Sequence, residues 1–335
     1  MRLGRLLIHP IVWLATLVAF GAAPGAAQQP SFGPLTYEEG APLQRVSYTA
    51  MTEEADVIGR NRWRVDVWNG FSNIFEQDST DTHNLFFDME RLVSVTTLRW
   101  GASETLEVGG RLTLETTGTG ALDGIILDWH AIWGFGNANR DRFPEGEYRQ
   151  SLTDGNGGVF LDVKKKKLAL QDVRAFAKLR VARSSDGRSV LSLKSELRAP
   201  LTGPLEGNEN VDLALAALGR LGAGAWYLHG MLGASFTRVS PELDPVLRGG
   251  TRYLMIAAER SLGSSLAAVL QFDVQTAALE SFQHRELDRA PTNFTLGLAG
   301  RLGEQWSWDA SFQEDLPSDT PAVDFTIGLR LSRVW

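Results

Sequence analysis

The stretch AVDFTIGLRLSRVW, residues 322–335, decides the fold of this 335-residue chain. Its apolar and polar residues alternate, and one parity holds Val323, Phe325, Ile327, Leu329 and Leu331. Successive side chains of a β-strand point to opposite faces, so the stretch predicts a strand with one apolar and one polar face. Trp335 falls on the apolar face.

An alternating strand that ends in an aromatic residue resembles the last strand of Gram-negative outer-membrane barrels. That resemblance implies a partner, the barrel assembly machinery, which would bind this C-terminal strand. A strand of a soluble sandwich alternates too, so the rest of the chain must decide. Arg333 is the one polar residue on the apolar face, near its end, where a long cation can reach the lipid headgroups.

The same pattern recurs from Asn61 onward. The alternating segments are 62–70, 84–99, 104–116, 169–183, 188–198, 210–219, 224–238, 251–261, 265–276, 292–302, 305–313 and 322–335. Tight turns and long loops separate them in alternation, which is typical of outer-membrane barrels. An even number of strands puts both ends and the tight turns on the periplasmic side. We therefore predict an all-β fold, a transmembrane antiparallel β-barrel of about twelve strands over residues 61–335. A soluble barrel or sandwich is the alternative, and aromatic-rich faces on most strands argue against it.

The N-terminus predicts export. Arg2 and Arg5, an apolar run over 6–20 and the small residues 25–27 form a cleaved signal peptide over 1–27. Its removal takes the net charge from −7 to −9, a sign that excludes a nucleic-acid partner. The chain has no cysteine, hence no lipid anchor and no disulfide. Residues 28–60 are polar and weakly periodic; we interpret them as a periplasmic segment that stays outside the barrel or enters its mouth, and the sequence leaves both open.

The apolar period changes after Gly118. Apolar residues then recur at three and four positions, which predicts a short amphipathic helix over 121–134 inside a long external loop, 118–157. Such a helix would pack into the barrel mouth or lie at the membrane interface.

This loop also carries a resemblance. Residues 122–130 read LDGIILDWH, followed by Ile132-Trp133-Gly134-Phe135-Gly136, Asn139-Arg140 and Phe143-Pro144. The passage is similar to the "LDG…I..WH..FG…R" hallmark of a family of uncharacterised bacterial outer-membrane barrel proteins, known only as a domain of unknown function. The stretches 72–75 and 98–102 are similar as well. The resemblance implies a barrel and an exported address, and it implies no activity.

The motif residues Asp123, Asp128, Trp129, His130 and Arg140 are the candidates for chemistry in the loop. Asp and His can ligate a metal or share a proton, and Asp123 and His130 would lie on one helix face. Their spacing is looser than that of a recognised ligand motif, so a structural role is favoured. No catalytic residue, metal or cofactor is predicted, and no nucleophile motif supports an enzyme.

Charge inside the barrel is the remaining signal. The candidate lumen or solute-binding residues are Arg111, Arg174, Lys178, Arg180, Lys194 and Arg198. They either form ion-paired ladders with neighbouring carboxylates that fill a narrow lumen, or they line a constriction that favours anions. The leading hypothesis is a narrow, porin-like channel for small, anionic solutes. A non-conducting barrel that binds partners or lipopolysaccharide through its loops is the second hypothesis, and a membrane-embedded lipid hydrolase is the third.

Overall fold

The computed structural model describes residues 31–335 except 43, 121–122, 134–141, 145, 155–158, 163–166, 202–209, 239–247, 279–288 and 316–322. The predicted signal peptide lies outside the described residues.

Strands dominate the described chain. They are β1 Trp63–Ser79, β2 His83–Gly101, β3 Leu106–Gly118, β4 Arg149–Asp154, β5 Val159–Asp162, β6 Ala169–Arg183, β7 Val190–Pro200, β8 Asp212–Ala223, β9 Trp226–Phe236, β10 Arg252–Ser261, β11 Leu266–Gln275, β12 Thr292–Leu302, β13 Trp306–Asp315 and β14 Phe325–Val334. One α-helix, α1, spans Asp123–Trp133, and a short 3-10 helix spans Gln44–Val46.

Twelve of these strands close into a barrel. The neighbours run β1-β2-β3-β6 and then in sequence order to β14, each pair antiparallel. β14 returns to β1, with Gly70 opposite Gly328 and Val67 opposite Leu331, and this seam completes the ring. β4 and β5 stand outside the ring, where β4 pairs with His83–Asp88 of β2. The predicted twelve-stranded antiparallel barrel is confirmed.

The two faces of the wall are inverted relative to a water-soluble protein. On β7, Lys194 and Glu196 are 4% and 1% exposed, whereas Leu193 and Leu197 are 51% and 50% exposed. The same inversion recurs on β6, where Lys178 is buried and Leu179 is exposed. Apolar side chains point outward and polar ones inward, as a barrel surrounded by lipid requires.

The ends of the barrel differ. The tight-turn end carries the connections after β2, β6, β8, β10 and β12, and three of these turns place a glycine at positive φ, Gly187, Gly224 and Gly303. The long-loop end carries the other connections, including α1. Five exposed tryptophans mark the tight-turn end: Trp63, Trp100, Trp226, Trp306 and Trp335. They form one aromatic girdle of the kind that lies at a membrane interface.

Arg333 is accommodated within this girdle. Its guanidinium lies 5.3 Å from the ring centre of Trp306 and 5.9 Å from that of Trp335. The cation is thus held against two aromatic faces at the interface level, which explains how it is tolerated on the apolar face.

The long-loop end departs from expectation in one element. Residues 72–75, which lie between the first two predicted strands, belong to β1, which continues to Ser79 and pairs with β2 down to Asn84. Ile74 and Phe75 are both buried, so alternation disappears where the strand is covered on both faces. In the described residues, no helix has the length and apolar character required to cross a membrane.

Candidate functional site

The lumen is occupied by the chain segment that precedes β1. We name residues 31–58 the plug; position 43 within it is outside the described residues. The outbound limb starts at the tight-turn end, where Ser31 Oγ donates a hydrogen bond to Glu259 at 2.7 Å. The apex reaches the long-loop end, where Ala278 N donates to Gln44 Oε1 at 2.9 Å. The return limb leads back to the tight-turn end and into β1.

The two limbs are joined to each other inside the barrel. Thr52 N donates to the Tyr37 carbonyl at 3.2 Å, and Tyr37 N donates to Thr52 Oγ1 at 2.8 Å. Thr52 Oγ1 in turn donates to the Leu35 carbonyl at 2.7 Å. These bonds satisfy backbone groups that would otherwise be buried without partners, so the plug is a folded hairpin.

One half of the wall holds the plug through apolar packing. Phe32, Leu35, Tyr48, Ala50 and Ala55 share a buried cluster with side chains of β7–β12, among them Ala214, Ala216, Leu218, Met231, Met255, Ala257, Ala267, Val269 and Ala299. Small wall residues leave room for the segment. Leu35 lies so near the wall that a β-carbon at Gly297 would be 2.9 Å from its Cδ2 atom.

The other half of the wall holds the plug through ion pairs. The Glu53 carboxylate lies 2.6 Å from Arg99, 3.2 Å from Arg111 and 2.6 Å from Lys194. All three cations also face the Phe176 ring, at 5.2, 4.9 and 5.2 Å from its centre. Glu53 is 8% exposed, so its carboxylate balances wall cations where water is largely excluded.

Three more plug carboxylates repeat this arrangement. Glu38 pairs with Arg174, Glu54 with Arg64, and Asp56 with Arg180 at 2.9 Å. In one further pair the plug supplies the cation and the wall the carboxylate: Arg45 of the apex lies 2.6 Å from Glu115 of β3. The contacts involve β1, β3 and β6. With those of Glu53, and with Arg220 of β8 at 3.4 Å from Asp56, they cover the sector from β1 to β8.

The wall cations depress the pKa of the central plug carboxylates. Burial by itself raises the pKa of Glu53, but Lys194 and Arg99, with Lys178 and Arg111, outweigh burial and hold it well below its usual range. Burial is likewise outweighed at Glu54, where Arg64 and Lys178 lower the pKa to about 2. Glu39 behaves oppositely, because burial raises its pKa. Both Glu53 and Glu54 therefore favour the occupied lumen when ionised.

Space between plug and wall is small in its middle and larger at one end. Two cavities along the plug measure about 20 and 30 Å³, room for about one water each. At the tight-turn end a cavity of about 630 Å³ opens, bounded inward by Phe32, Glu54 and Asp56. We name this cavity the vestibule.

The sequence of the chain matches a known protein family. The profile of the family described as "Protein of unknown function (DUF3187)" matches residues 10–335. The chain belongs to this family. No curated protein matches it by sequence.

Solved structures similar to the DUF3187 chain are outer-membrane barrels. The COG4313 outer membrane channel from Pseudomonas putida F1 aligns with a TM-score of 0.54 and 12% identity over 84% of this chain and 98% of that one. The KdgM porin aligns with a TM-score of 0.39 and 6% identity over 81% and 98%. At such identities the likeness concerns the fold, and of these two the Pseudomonas channel alone has a TM-score above 0.5.

The six predicted lumen cations of the DUF3187 chain all lie near carboxylates. Arg111, Lys178 and Lys194 converge on the centre, where Lys178 lies 3.3 Å from Glu107. Arg174 and Arg198 flank the Tyr48 ring of the plug, at 5.3 and 4.6 Å from its centre. Arg180 lies apart from these, at the tight-turn end. A role for these residues in solute binding stays a prediction.

Of the five residues of the loop motif, the structure describes the side chains of Asp123 and Asp128, so a joint site of the five stays a prediction. Asp123 is buried at the start of α1, where it accepts hydrogen bonds from Asn73 Nδ2 at 3.2 Å and Gly146 N at 2.9 Å. Asp128 is exposed on the same helix. Trp129 and His130 belong to α1, but their side chains lie outside the described part, as does Arg140 entirely. Asp123 thus ties α1 to β1.

One histidine of the wall, on β9, bears on the hydrolase hypothesis. His229 lies inside the lumen, buried, with its Nε2 atom 2.8 Å from Glu259 Oε2. A lipid hydrolase would need its histidine beside a serine on the lipid-facing wall. The position of His229 offers that hypothesis no support.

Sequence reasoning missed the plug carboxylates. Glu38, Glu53, Glu54 and Asp56 fall in a segment without strand periodicity, which was expected outside the barrel or at its mouth. The sequence did contain one signal. The lumen-facing positions of β6 and β7 hold more cations than carboxylates, and the acidic residues of the plug could balance them.

Proposed function

We propose that this DUF3187 protein is an outer-membrane channel whose lumen the plug holds closed. The apolar outer face, the tryptophan girdle and the fold shared with the Pseudomonas channel support a place in the outer membrane. The plug in the lumen supports a closed resting state. Opening then consists of moving residues 31–58 away from the cationic half of the wall.

The ion pairs of Glu53 are the observation that carries the proposal. Stability alone is a weak reason for a barrel to bury charge, since an apolar filling of equal volume is often as stable or more so. Here Glu53 comes from a separate segment, while Arg99, Arg111 and Lys194 stay with the wall. Breaking these pairs in the presence of water leaves a hydrated, cation-rich passage.

Small anionic solutes are the substrates we propose for the open state. With the plug displaced, the cations released by Glu38, Glu53, Glu54 and Asp56 would face the passage on its β1–β8 side. A ring of cations lowers the barrier for anions and raises it for cations.

Single-channel recording tests the proposal. The mature protein, refolded into a planar bilayer, is compared with a variant that lacks residues 31–58, and folding of both is checked by heat-modifiable migration on gels. We expect rare openings for the full chain, and for the deletion variant steady, anion-selective current that Lys194→Gln makes less selective. Should the deletion variant not fold, the acid response described in the Discussion makes the same comparison on the intact chain.

A non-conducting barrel is the second candidate. The small cavities along the plug favour it, as does the projecting sheet of β1, β2, β4 and β5, which offers a surface for partners or lipopolysaccharide. A folded deletion variant that passes no current would refute the channel and leave this candidate.

A further inference from the structure

The vestibule at the tight-turn end has the charge of a binding site for anions. Among the described residues that line it, seven are arginines and four are carboxylates. The volume of about 630 Å³ falls within the range of small-molecule sites, roughly 300–1,000 Å³. A lining so rich in charge disfavours an apolar ligand, because guanidinium groups would lose hydration without gaining a partner.

One carboxylate of the plug already shows how arginines at this end of the barrel bind an oxyanion. Asp56 lies 2.9 Å from Arg180, 3.4 Å from Arg220 and 3.9 Å from Arg183. Three guanidinium groups thus surround a single carboxylate, and the charge there remains positive. Planar guanidinium forks match the paired oxygens of phosphate and carboxylate groups.

The wall fixes two of the vestibule arginines before any ligand arrives. Arg220 donates to the Gly187 carbonyl at 2.8 Å and to the Arg188 carbonyl at 3.2 Å. Arg188 donates to the Gly224 carbonyl at 2.6 Å and lies 4.8 Å above the Tyr227 ring. Groups held in place by the wall lose little freedom on binding, so they bind with less entropic cost.

We propose that the vestibule binds a small multivalent oxyanion, an organic phosphate or a polycarboxylate, between Arg183, Arg188 and Arg220. The ligand enters from the tight-turn end and stops at Phe32 and Asp56 of the plug. Binding at this place does not require that the channel opens, so the inference stands apart from the proposed conduction.

Calorimetric titration of the mature protein in a neutral detergent tests the proposal. Pyrophosphate and citrate are the two oxyanion probes, and sucrose is a neutral probe of comparable size. We expect saturable binding of one or both oxyanions with one site per barrel, weakened by added salt, and none of sucrose. Tighter binding of pyrophosphate assigns the site to phosphates, and tighter binding of citrate assigns it to carboxylates.

Charge-removing variants locate the binding. Arg183→Gln combined with Arg188→Gln should weaken the affinity at least ten-fold. Arg333→Gln is the control for charge at this end, since it removes one positive charge from the outer face beside Trp306 and Trp335. The affinity of this control variant for the oxyanion should stay within two-fold of that of the parent protein. Absence of oxyanion binding to the parent, or equal binding by the double variant, would overturn the proposal.

Discussion

Glu53 concentrates the coupling between plug and wall in one side chain. Replacing it by Gln removes one carboxylate from the buried group of Arg99, Arg111 and Lys194. These cations keep wall partners, Glu107 for Arg99 and Glu196 for the other two. Removing one partner of a buried ion pair costs up to about 3–5 kcal/mol. We expect the plug to leave the lumen more often in Glu53→Gln. The chain has no cysteine, so Ala50→Cys, buried in the plug, serves as a reporter for a water-soluble thiol reagent.

The labelling rate of Ala50→Cys should rise at least ten-fold when Glu53→Gln is added. Glu54→Gln, the same isosteric change at the next residue, is the control. Its side chain is 27% exposed and so more screened by water, and we expect a smaller rise. Equal rates in parent and Glu53→Gln would show that Glu53 does not hold the plug.

We expect acid to open the channel that we propose. The pKa of Glu54 is about 2 in the plugged state against an ordinary value of 4.5, and that of Glu53 is also depressed. A depressed pKa stabilises the plugged state fully above the ordinary value and loses that stabilisation as the pH falls toward the depressed one. Glu39, whose pKa is raised, opposes this in part.

Conductance measured from pH 7 downward should therefore increase below about 4.5 and continue to increase toward 2. The double variant Glu53→Gln, Glu54→Gln should open already near neutral pH and respond less to acid. An increase of current on raising the pH instead would contradict the assigned electrostatics.

Strand parity predicted that Lys194 and Leu193 lie on opposite faces of β7, as they do. It could not predict that Glu53 is a partner of Lys194. The two residues belong to separate parts of the chain, and a long-range ion pair leaves no mark on the local period.

At the scale of the strand, the outward face of β7 should respond to charge according to depth. Leu193→Arg puts a cation near the middle of the apolar band, where it costs about 2–4 kcal/mol. Leu221→Arg on β8 is the control, because it lies near the tight-turn end, where the cost is about 0–1 kcal/mol.

Reversible unfolding by urea in phospholipid vesicles measures both variants. We expect Leu193→Arg to lower the free energy of unfolding by the larger amount. If the two losses are the same, the membrane does not surround the barrel at the level we infer.

The β1–β2 hairpin shows where pattern reasoning fails for an element. Phe75 packs against Phe86 and Phe143, with ring centres 6.0 and 5.6 Å away, beyond the lipid-facing band. Ile74 is buried as well, so both faces of the strand are covered there and apolar residues become consecutive. A period of two identifies a strand only where one of its faces is polar.

For the molecule as a whole, a covalent tether between plug and barrel should abolish opening. A β-carbon built at Gly40 lies 2.6 Å from Val323 Cγ1, so cysteines at these two positions are close enough for a disulfide. In oxidised Gly40→Cys, Val323→Cys the acid-induced current should disappear, and reduction should restore it. Each single cysteine variant is a control. Persistent acid-induced current in the oxidised protein would mean that ions pass without displacement of the plug.

The whole architecture was predicted from the sequence more fully than the lumen was. Twelve alternating segments, an even count and alternating connection lengths determine an antiparallel barrel. The plug has no such signature: its hairpin bonds, such as those of Thr52 with Tyr37 and Leu35, depend on being enclosed by the wall.

The seam between β1 and β14 dictates an order of events in biogenesis. Asn73 meets Phe325 across it, so the ring stays open until strands from opposite ends of the barrel sequence meet. The plug directly precedes β1 and contacts both halves of the wall, so we expect the wall to close around it. The plug would then provide the surface around which the sheet curls into a barrel. In the channel that we propose, this order would keep the lumen shut throughout assembly, so that the cell envelope is not exposed to an open pore while the barrel is being made.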